Sequence, residues 1–319
     1  MKLPRLLAAG LLLLCAAPRA RAAAAGGEPF NFLFLDANAR AVGMGGAYTA
    51  QANDSNALLY NPAGLAKVDR HEATFMHNQH FEGATQEYIG LALKQGWGLN
   101  LNYLSYGSVP RTTISQPTGT GSVFGISDMA FGGGYGRSIT DDVSVGAGLK
   151  FIRESIDNFS ANTVGFDFGG LYAPGSVPGL KTGLAVQNIG PSVTFQQARE
   201  NLPLNVRGGA AYEFNAFDAH HAFALDLSKE RSENLVFGAG FESVVGKVMA
   251  LRFGFNSRNK AGIGITGGVG WINENYSIDY AIVPFGDLGL AHRFSVSYRW
   301  GEPASFVDAA PLRPRPSRR

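Results

Sequence analysis

The sequence predicts an all-β fold, a transmembrane antiparallel β-barrel of about 14 strands with an N-terminal plug or hatch segment. Alternation is the first observation behind this prediction, because large apolar residues take every second position in stretches such as 97–103, 143–151 and 294–300. Successive side chains of a strand point to opposite faces, so each stretch has one apolar and one small or polar face. Stretches of roughly 9 to 13 residues suit a tilted membrane strand and exceed the ~5 to 6 residues usual in soluble proteins.

Composition supplies the other two observations. Charged residues make up 16 % of the chain, below the ~25 % of ordinary soluble domains, and 42 of the 319 residues are glycine. Beyond the amino terminus, no apolar run reaches the ~18 residues that a membrane helix needs. A closed barrel forms its backbone hydrogen bonds between strands, so it crosses lipid without such helices.

The first residues have the layout of a secretory signal peptide. Residues 1–22 combine a positive start, an apolar run too short to span a bilayer and a small-x-small exit, and cleavage as late as residue 25 also fits. The only cysteine, Cys15, lies inside this leader, and its large apolar neighbours argue against lipidation. The mature chain is therefore expected to fold without disulfides.

Removal of the leader changes the charge balance. The leader carries four basic residues and no acidic residue, so the remaining chain has 23 basic and 25 acidic residues. A chain with this balance is not expected to bind nucleic acid. The expected surroundings are outer-membrane lipid, in a bacterium of the Gram-negative type.

Alternation places the barrel at 68–300. The predicted strands lie at 71–81, 84–94, 97–107, 126–138, 142–157, 161–173, 180–188, 203–214, 220–229, 233–244, 247–257, 262–273, 276–283 and 290–300. An even number lets an antiparallel barrel close without an exposed edge. The proline- and arginine-rich stretch at 301–319 is predicted to be a disordered tail.

The stretch at 26–67 does not alternate and is rich in small residues. Gly43, Gly45 and Gly46 permit close backbone approach or positive φ angles. A short helix is predicted across 56–60, with a cap from Asp54 or Ser55 and an end at the following Asn-Pro pair. A compact segment of this kind ahead of a wide barrel is predicted to fold into the lumen as a plug.

Two motifs resemble a known family. The first is the glycine-rich run at 40–48 with the Asn-Pro-Ala-Gly-Leu sequence that follows it, and its marker residues are Gly43, Gly45, Gly46, Asp54, Asn61, Pro62, Ala63, Gly64 and Leu65. The second closes the barrel and consists of Pro284, Phe285, Gly286, Asp287, His292 and Arg293. Together they resemble the hatch and the last turn of FadL-type outer-membrane barrels, in particular the PorV/PorQ branch associated with type IX secretion.

That resemblance implies a 14-stranded barrel with an N-terminal plug and two alternative functions. In the first, the protein is a non-enzymatic export component that binds secreted cargo, a translocon or partner subunits. In the second, it is a FadL-like transporter of hydrophobic small molecules such as long-chain fatty acids. The closing motif favours the export role, and the transporter is the alternative that the sequence leaves open.

Chemical motifs are weak, so we predict no enzyme, no cofactor and no metal. His220 and His221 are adjacent on a strand and face opposite sides, so they do not chelate one metal. His71 and His77 share a face but are separated by about 20 Å along a strand. The sequence contains no Gly-x-Ser-x-Gly nucleophile elbow.

Two further features bear on transport. Gly132, Gly133 and Gly134 interrupt a membrane strand, which indicates either a wall kink that opens a lateral port or room for the plug. The second interpretation is favoured, because small residues inside a barrel leave space for whatever fills it. The connection at 108–125 is the longest among the early strands and is a candidate outer loop.

Overall fold

A computed structural model describes residues 30–195, 198–231 and 234–303 of the chain. The leader at 1–22 and the tail beyond residue 303 lie outside these described residues. None of the helices in the described part is long and apolar enough to cross a membrane.

Fourteen antiparallel strands of the described chain close into one barrel, which confirms the predicted all-β antiparallel barrel of about 14 strands. The described chain contains these fourteen and a separate pair, sixteen strands in all: β1 (His71–Gln79), β2 (Thr85–Ala92), β3 (Trp97–Pro110), β4 (Val123–Ser138), β5 (Val143–Ile156), β6 (Phe159–Tyr172), β7 (Leu180–Ile189), β8 (Val193–Phe195), β9 (Ala198–Glu200), β10 (Asn205–Ala216), β11 (Ala219–Glu230), β12 (Leu235–Val245), β13 (Met249–Asn256), β14 (Ile265–Ile272), β15 (Tyr276–Pro284) and β16 (Leu290–Trp300). Of these, β8 and β9 pair only with each other, and β7 pairs directly with β10.

The barrel closes where β1 pairs with β16, in continuous register from His71 opposite Trp300 to Gln79 opposite His292. Every other barrel strand pairs with its neighbours in chain order, so the fold is a meander. The hairpin β8–β9 was not predicted, because strands of three residues are too short to show alternation. The early loop is shorter than predicted, since β3 and β4 extend past its ends and leave only 111–122.

The outward face of the barrel is apolar and the inward face carries the charges. In β13, Phe253 is 64 % exposed whereas the adjacent Arg252 is 2 % exposed. The same inversion recurs around the barrel, where phenylalanines and leucines alternate outward with buried small or polar residues. Soluble proteins arrange these classes the other way round, whereas lipid-facing barrels place apolar side chains outside.

The two ends of the barrel differ in their connections. We call the end where β1 starts and β16 finishes the base, and the opposite end the mouth. The longest connections, 111–122 and 190–204, lie at the mouth, whereas turns at the base are short. The tightest is the turn from β10 to β11, in which Phe217 and Asp218 both have positive φ, as a two-residue hairpin turn requires.

Residues 30–68, which we call the N-terminal segment, precede β1 and contain only short helices. These are α1 (Ala39–Gly43), α2 (Ala57–Tyr60) and two 3-10 helices, Asn31–Phe34 and Pro62–Lys67. Asn38 caps α1 by accepting a hydrogen bond from the Ala41 N–H at 3.1 Å. Asn61 ends α2 and caps the next helix, whose first residue is a proline.

Candidate functional site in the barrel interior

The N-terminal segment is the candidate site, because it packs against the inward face of the barrel. Its aromatic residues Tyr48 and Tyr60 are fully buried and meet edge to face at 5.1 Å between ring centroids. Phe30 and Phe32 pack on the inner side of β3 to β6, around Leu104 and Ile152. The segment is therefore surrounded by strands and makes its own apolar core inside them.

The Asn-Pro-Ala-Gly-Leu motif docks on a wall of glycines. A methyl group added at Gly146 would overlap the backbone of Pro62 and Ala63, and one added at Gly136 would overlap the same helix. Asn61 reaches the wall itself, since its Nδ2 donates to the Gly170 carbonyl at 3.0 Å. Close approach of two backbones requires glycine on one side. The motif is therefore fitted to strands β4 to β6.

The glycine-rich run at 40–48, the first part of the same motif, docks in the same way on strands β12 to β14. Gly45 and Gly46 have φ angles of 66° and 73°, which favour glycine, and Gly43 lies against the backbone of Gly268. A methyl group at Gly254 would overlap the backbone of residues 44 and 45. The side chain of Asn256 donates to the Gly45 carbonyl at 2.9 Å.

A chain of buried charges ties α1 to strands β12, β13 and β15. Glu242 accepts hydrogen bonds from Arg40, at 2.8 and 2.9 Å, and from Arg252, at 2.6 Å. Arg252 also donates to Asp279 at 2.7 Å. Its side chain is 1 % exposed, so each of its neighbouring carboxylates compensates a charge that water does not reach.

Two more carboxylates bind the backbone of the segment. Asp226 accepts from the N–H groups of Tyr48 and Thr49, at 3.2 and 3.0 Å, and also pairs with Arg207. Glu72 accepts from both the N–H and the hydroxyl of Ser55, at 3.0 and 2.9 Å. The inner wall therefore holds the segment by charge as well as by shape.

Asp54 is a half-buried carboxyl within the segment. It accepts a hydrogen bond of 2.5 Å from the Tyr48 hydroxyl. Burial raises the pKa of the Asp54 carboxyl above its ordinary value, and the nearby Glu72 carboxylate raises that pKa further. A hydrogen bond from the Asn56 N–H acts on the pKa in the other direction.

The raised pKa of Asp54 predicts a pH-dependent stability. A carboxyl whose pKa is higher in the folded state than in the unfolded state stabilises the fold. This stabilisation is complete at pH values below the unfolded pKa and is lost as pH rises through the folded pKa. We expect Asp54→Asn to remove this loss of stability, which begins as pH rises above the ordinary carboxyl pKa of about 4. Urea unfolding in lipid vesicles at several pH values measures it, with Asp287→Asn, an exposed carboxyl, as the control. A difference between Asp54→Asn and wild type that stays constant with pH would contradict the expectation.

Several cavities adjoin the segment. A small one of about 30 Å³ lies against the wall near Leu58, and a polar one of about 380 Å³ lies at the base near Lys67 and Arg299. Another, of about 210 Å³, lies toward the mouth between Phe34 and Arg293.

The predicted wall kink has a specific geometry. Gly132 and Gly134 face inward, where a methyl group at Gly134 would approach Leu58 at 2.5 Å, and Gly133 faces outward. Strand β4 keeps continuous pairing with β3 and β5 across these glycines, and the register shift in β3 occurs instead between Ser105 and Ser108. Strand pairing is thus continuous at the point where the wall lacks side chains.

The closing motif is divided between the surface and the interior. Pro284 ends β15, Gly286 begins a 3-10 helix with a φ of 60°, and Asp287 is exposed at the mouth. His292 faces outward and lies 2.7 Å from the Tyr280 hydroxyl. Arg293 faces inward and is 4 % exposed.

The histidines singled out in the sequence are separate from one another. His221 stacks outward on Phe241, with 5.8 Å between ring centroids, while His220 lies 3.0 Å from Asn215. Within the described ranges there is no group of three or more side chains arranged to hold a metal.

The charged residues that hold the segment were not predicted from the sequence. Arg252, Asp226 and Glu242 are recognisable there only as polar residues on the small face of alternating strands. A charge at an inward position of a membrane strand is itself a signal, because it needs a partner in the lumen. The identity of that partner depends on contacts between distant parts of the chain.

The strands define a class of fold, a closed 14-stranded antiparallel barrel similar to those of outer-membrane channels. A structure described as the "CymD monoaromatic hydrocarbon channel" aligns with a TM-score of 0.59 and 10 % identity, over 83 % of this chain and 98 % of that one. The toluene transporter TodX of P. putida aligns with a TM-score of 0.51 and 12 % identity, over 82 % of this chain and 98 % of that one. At these identities the likeness shows the fold.

Sequence comparison finds similarity to one family over part of the chain. The model of the "Uncharacterised protein family (UPF0164)" matches residues 16–164. A "UPF0164 protein" of Treponema pallidum (strain Nichols) is 28 % identical over 176 residues, which are 51 % of this chain and 44 % of that protein. The chain thus spans less than half the length of this relative.

Proposed function

We propose that the protein, exported by its leader at 1–22, resides in the outer membrane and passes small hydrophobic molecules through its wall without acting as an enzyme. The proposal rests on one observation, the thin wall between β4 and β5. Likeness of fold to proteins described as hydrocarbon channels supports it. The base would face the periplasm and the mouth the outside, because longer loops are the extracellular ones in such barrels.

At this wall, backbone alone separates the inside from the outside. Gly133, Gly148 and Leu149 line both the inner cavity of about 30 Å³ and an outer apolar groove of about 660 Å³. Strand pairing places Gly134 opposite both Gly98 and Gly148, so three neighbouring strands lack side chains there. A hydrophobic molecule crossing at this point would meet few atoms and would emerge directly among apolar side chains.

The N-terminal segment is the gate in this proposal, so it acts as the described part of the plug predicted at 26–67. Leu58 packs against the inner side of Gly134 and Gly148, at the inner end of the thin wall. Movement of α2 away from the wall would enlarge the cavity there. Both interpretations of Gly132, Gly133 and Gly134 then apply, because these glycines leave room for the plug and also make the wall thin.

Filling the outer groove is expected to slow passage. Gly133→Trp places a large side chain in the groove, where its neighbour is the flexible tip of Leu99. We expect toluene uptake into vesicles carrying the purified protein to fall about tenfold, as a barrier increase of ~1.4 kcal/mol produces. Gly267→Trp is the matched control, since Gly267 also faces lipid but lies on β14 with its nearest contact at 3.8 Å. Equal uptake by both variants would exclude a route through this wall.

A second candidate is a PorV/PorQ-type role in export, in which the barrel binds cargo, a translocon or partner subunits. The closing motif favours it, because Pro284, Gly286 and Asp287 form an ordered turn exposed at the mouth. Mild cross-linking in intact cells, followed by mass spectrometry of proteins and lipids, separates the two candidates. Recovery of a large translocon or of secreted proteins with a shared C-terminal domain supports export. Recovery of the barrel with a stoichiometric small hydrophobic molecule supports passage.

A further inference from the structure

The cavity of about 210 Å³ near the mouth combines an apolar lining with a buried cation. Phe34, Leu35 and Val42 of the N-terminal segment form one side of it, and Val283 and Phe285 form the other. The cavity therefore lies between the segment and the last strands. Its apolar walls suit a hydrophobic group.

Arg293 enters this cavity from β16. The residue is 4 % exposed, and its Nε and Nη1 atoms are buried without a hydrogen-bond partner in the described part of the protein. Arg252, the comparably buried arginine on β13, has two carboxylates within 2.7 Å. A guanidinium held in an apolar site without an anion is costly. The geometry leaves donors free for a ligand.

The other charged groups around the cavity do not occupy these donors. Asp36 attracts Arg293 electrostatically but accepts no hydrogen bond from its Nε or Nη1. Arg258 is paired with Glu230 and lies over the ring of Phe34. Burial and the nearby Arg293 charge lower the pKa of His80 to about 4, so this histidine is neutral at pH 7. Arg293 thus remains the cation available to an incoming anion.

We propose that this cavity binds a small aromatic carboxylate, with its ring among Phe34, Val283 and Phe285 and its carboxylate on Arg293. An apolar cavity of ~150 Å³ accommodates benzene, so about 210 Å³ holds one ring with a carboxylate but not a long acyl chain. A charge-assisted hydrogen bond from arginine provides the specificity for the anion. The inference rests on the proposed passage of small hydrophobic molecules and specifies their chemical class.

Binding of labelled benzoate and labelled toluene tests this assignment. Equilibrium dialysis is done with the full chain in phosphatidylcholine nanodiscs. We expect Arg293→Gln to weaken benzoate binding by about 10- to 100-fold, as loss of a hydrogen bond to a charged group does. Toluene binding should stay within about threefold, because it needs only the apolar lining, and its retention shows that the variant is folded. Arg137→Gln, which removes an exposed charge on the outside of β4, should change neither.

A second variant locates the ligand. Val283→Phe fills the cavity without changing charge, so it should weaken benzoate and toluene binding together. Benzoate that fails to bind wild type, or that binds Arg293→Gln as tightly, overturns the assignment, and so does benzoate affinity unchanged by Val283→Phe. If the benzoate assignment fails, toluene uptake and its sensitivity to Gly133→Trp remain. If the passage proposal fails, that sensitivity is lost while benzoate binding remains.

Discussion

Alanine at Gly146 is expected to release the N-terminal segment from the wall. The added methyl group would overlap the backbone of Pro62 and Ala63, and backbone does not rotate away as a side chain does. Overpacking of this kind costs about 1 to 3 kcal/mol, which corresponds to roughly a 5- to 150-fold larger population of the displaced segment. We expect open events in planar bilayers to become more frequent by about that factor.

The control for this experiment is Gly170→Ala on the adjacent strand. A methyl group there would have its nearest neighbour, the Ser144 carbonyl oxygen, at 3.9 Å, an ordinary contact. Both variants should still show the heat-dependent gel mobility of a folded barrel. Equal conductance of Gly146→Ala and Gly170→Ala would mean that the motif at 61–65 does not close the lumen.

Removal of the charge on Glu242 is expected to cause a large loss of stability. Glu242 is 2 % exposed and lies between Arg40 and Arg252, so Glu242→Gln leaves two cations with a single remaining carboxylate, Asp279. Breaking a buried ion pair from one side costs about 3 to 5 kcal/mol, because the other charge stays buried and unpaired. Urea titration of the protein in lipid vesicles measures this loss.

A matched control uses an ion pair nearer to solvent. Lys181 and Glu213 form a contact of 2.6 Å with both side chains partly exposed. Glu213→Gln is expected to cost less than about 1 kcal/mol, since water compensates the lysine. Similar losses for Glu213→Gln and Glu242→Gln would show that the interior chain of charges is hydrated and does not hold the segment in place.

These two experiments probe different forces that act on the same segment. The glycine wall holds residues 61–65 by shape, whereas Glu242 and Asp226 hold residues 40–49 by charge. Passage of small molecules through the wall requires movement of α2, which lies between these two anchors. A segment that both anchors keep permanently in place would favour the role in export, in which the lumen stays closed.

Much of the fold could be predicted from local sequence. Alternation in stretches such as 143–151 is a property of a few consecutive residues, so it is enough to indicate the strands, their inward faces and an even strand number. The glycines of the hatch motif were expected to allow positive φ or close approach. Gly45 and Gly46 do the first, and Gly43 does the second.

The contacts across the lumen could not be predicted in this way. Arg40 and Glu242 are 202 positions apart, and Arg293 meets the segment only because β16 closes against β1. Such neighbours depend on the register and tilt with which all the strands close, and no single stretch of sequence carries that information. The sequence by itself therefore determines the barrel strands and the wall of small residues, because side-chain alternation and glycine positions are local properties. Barrel closure decides which charges are paired, which buried cation keeps donors without an acceptor among the described residues, and where the wall is thin.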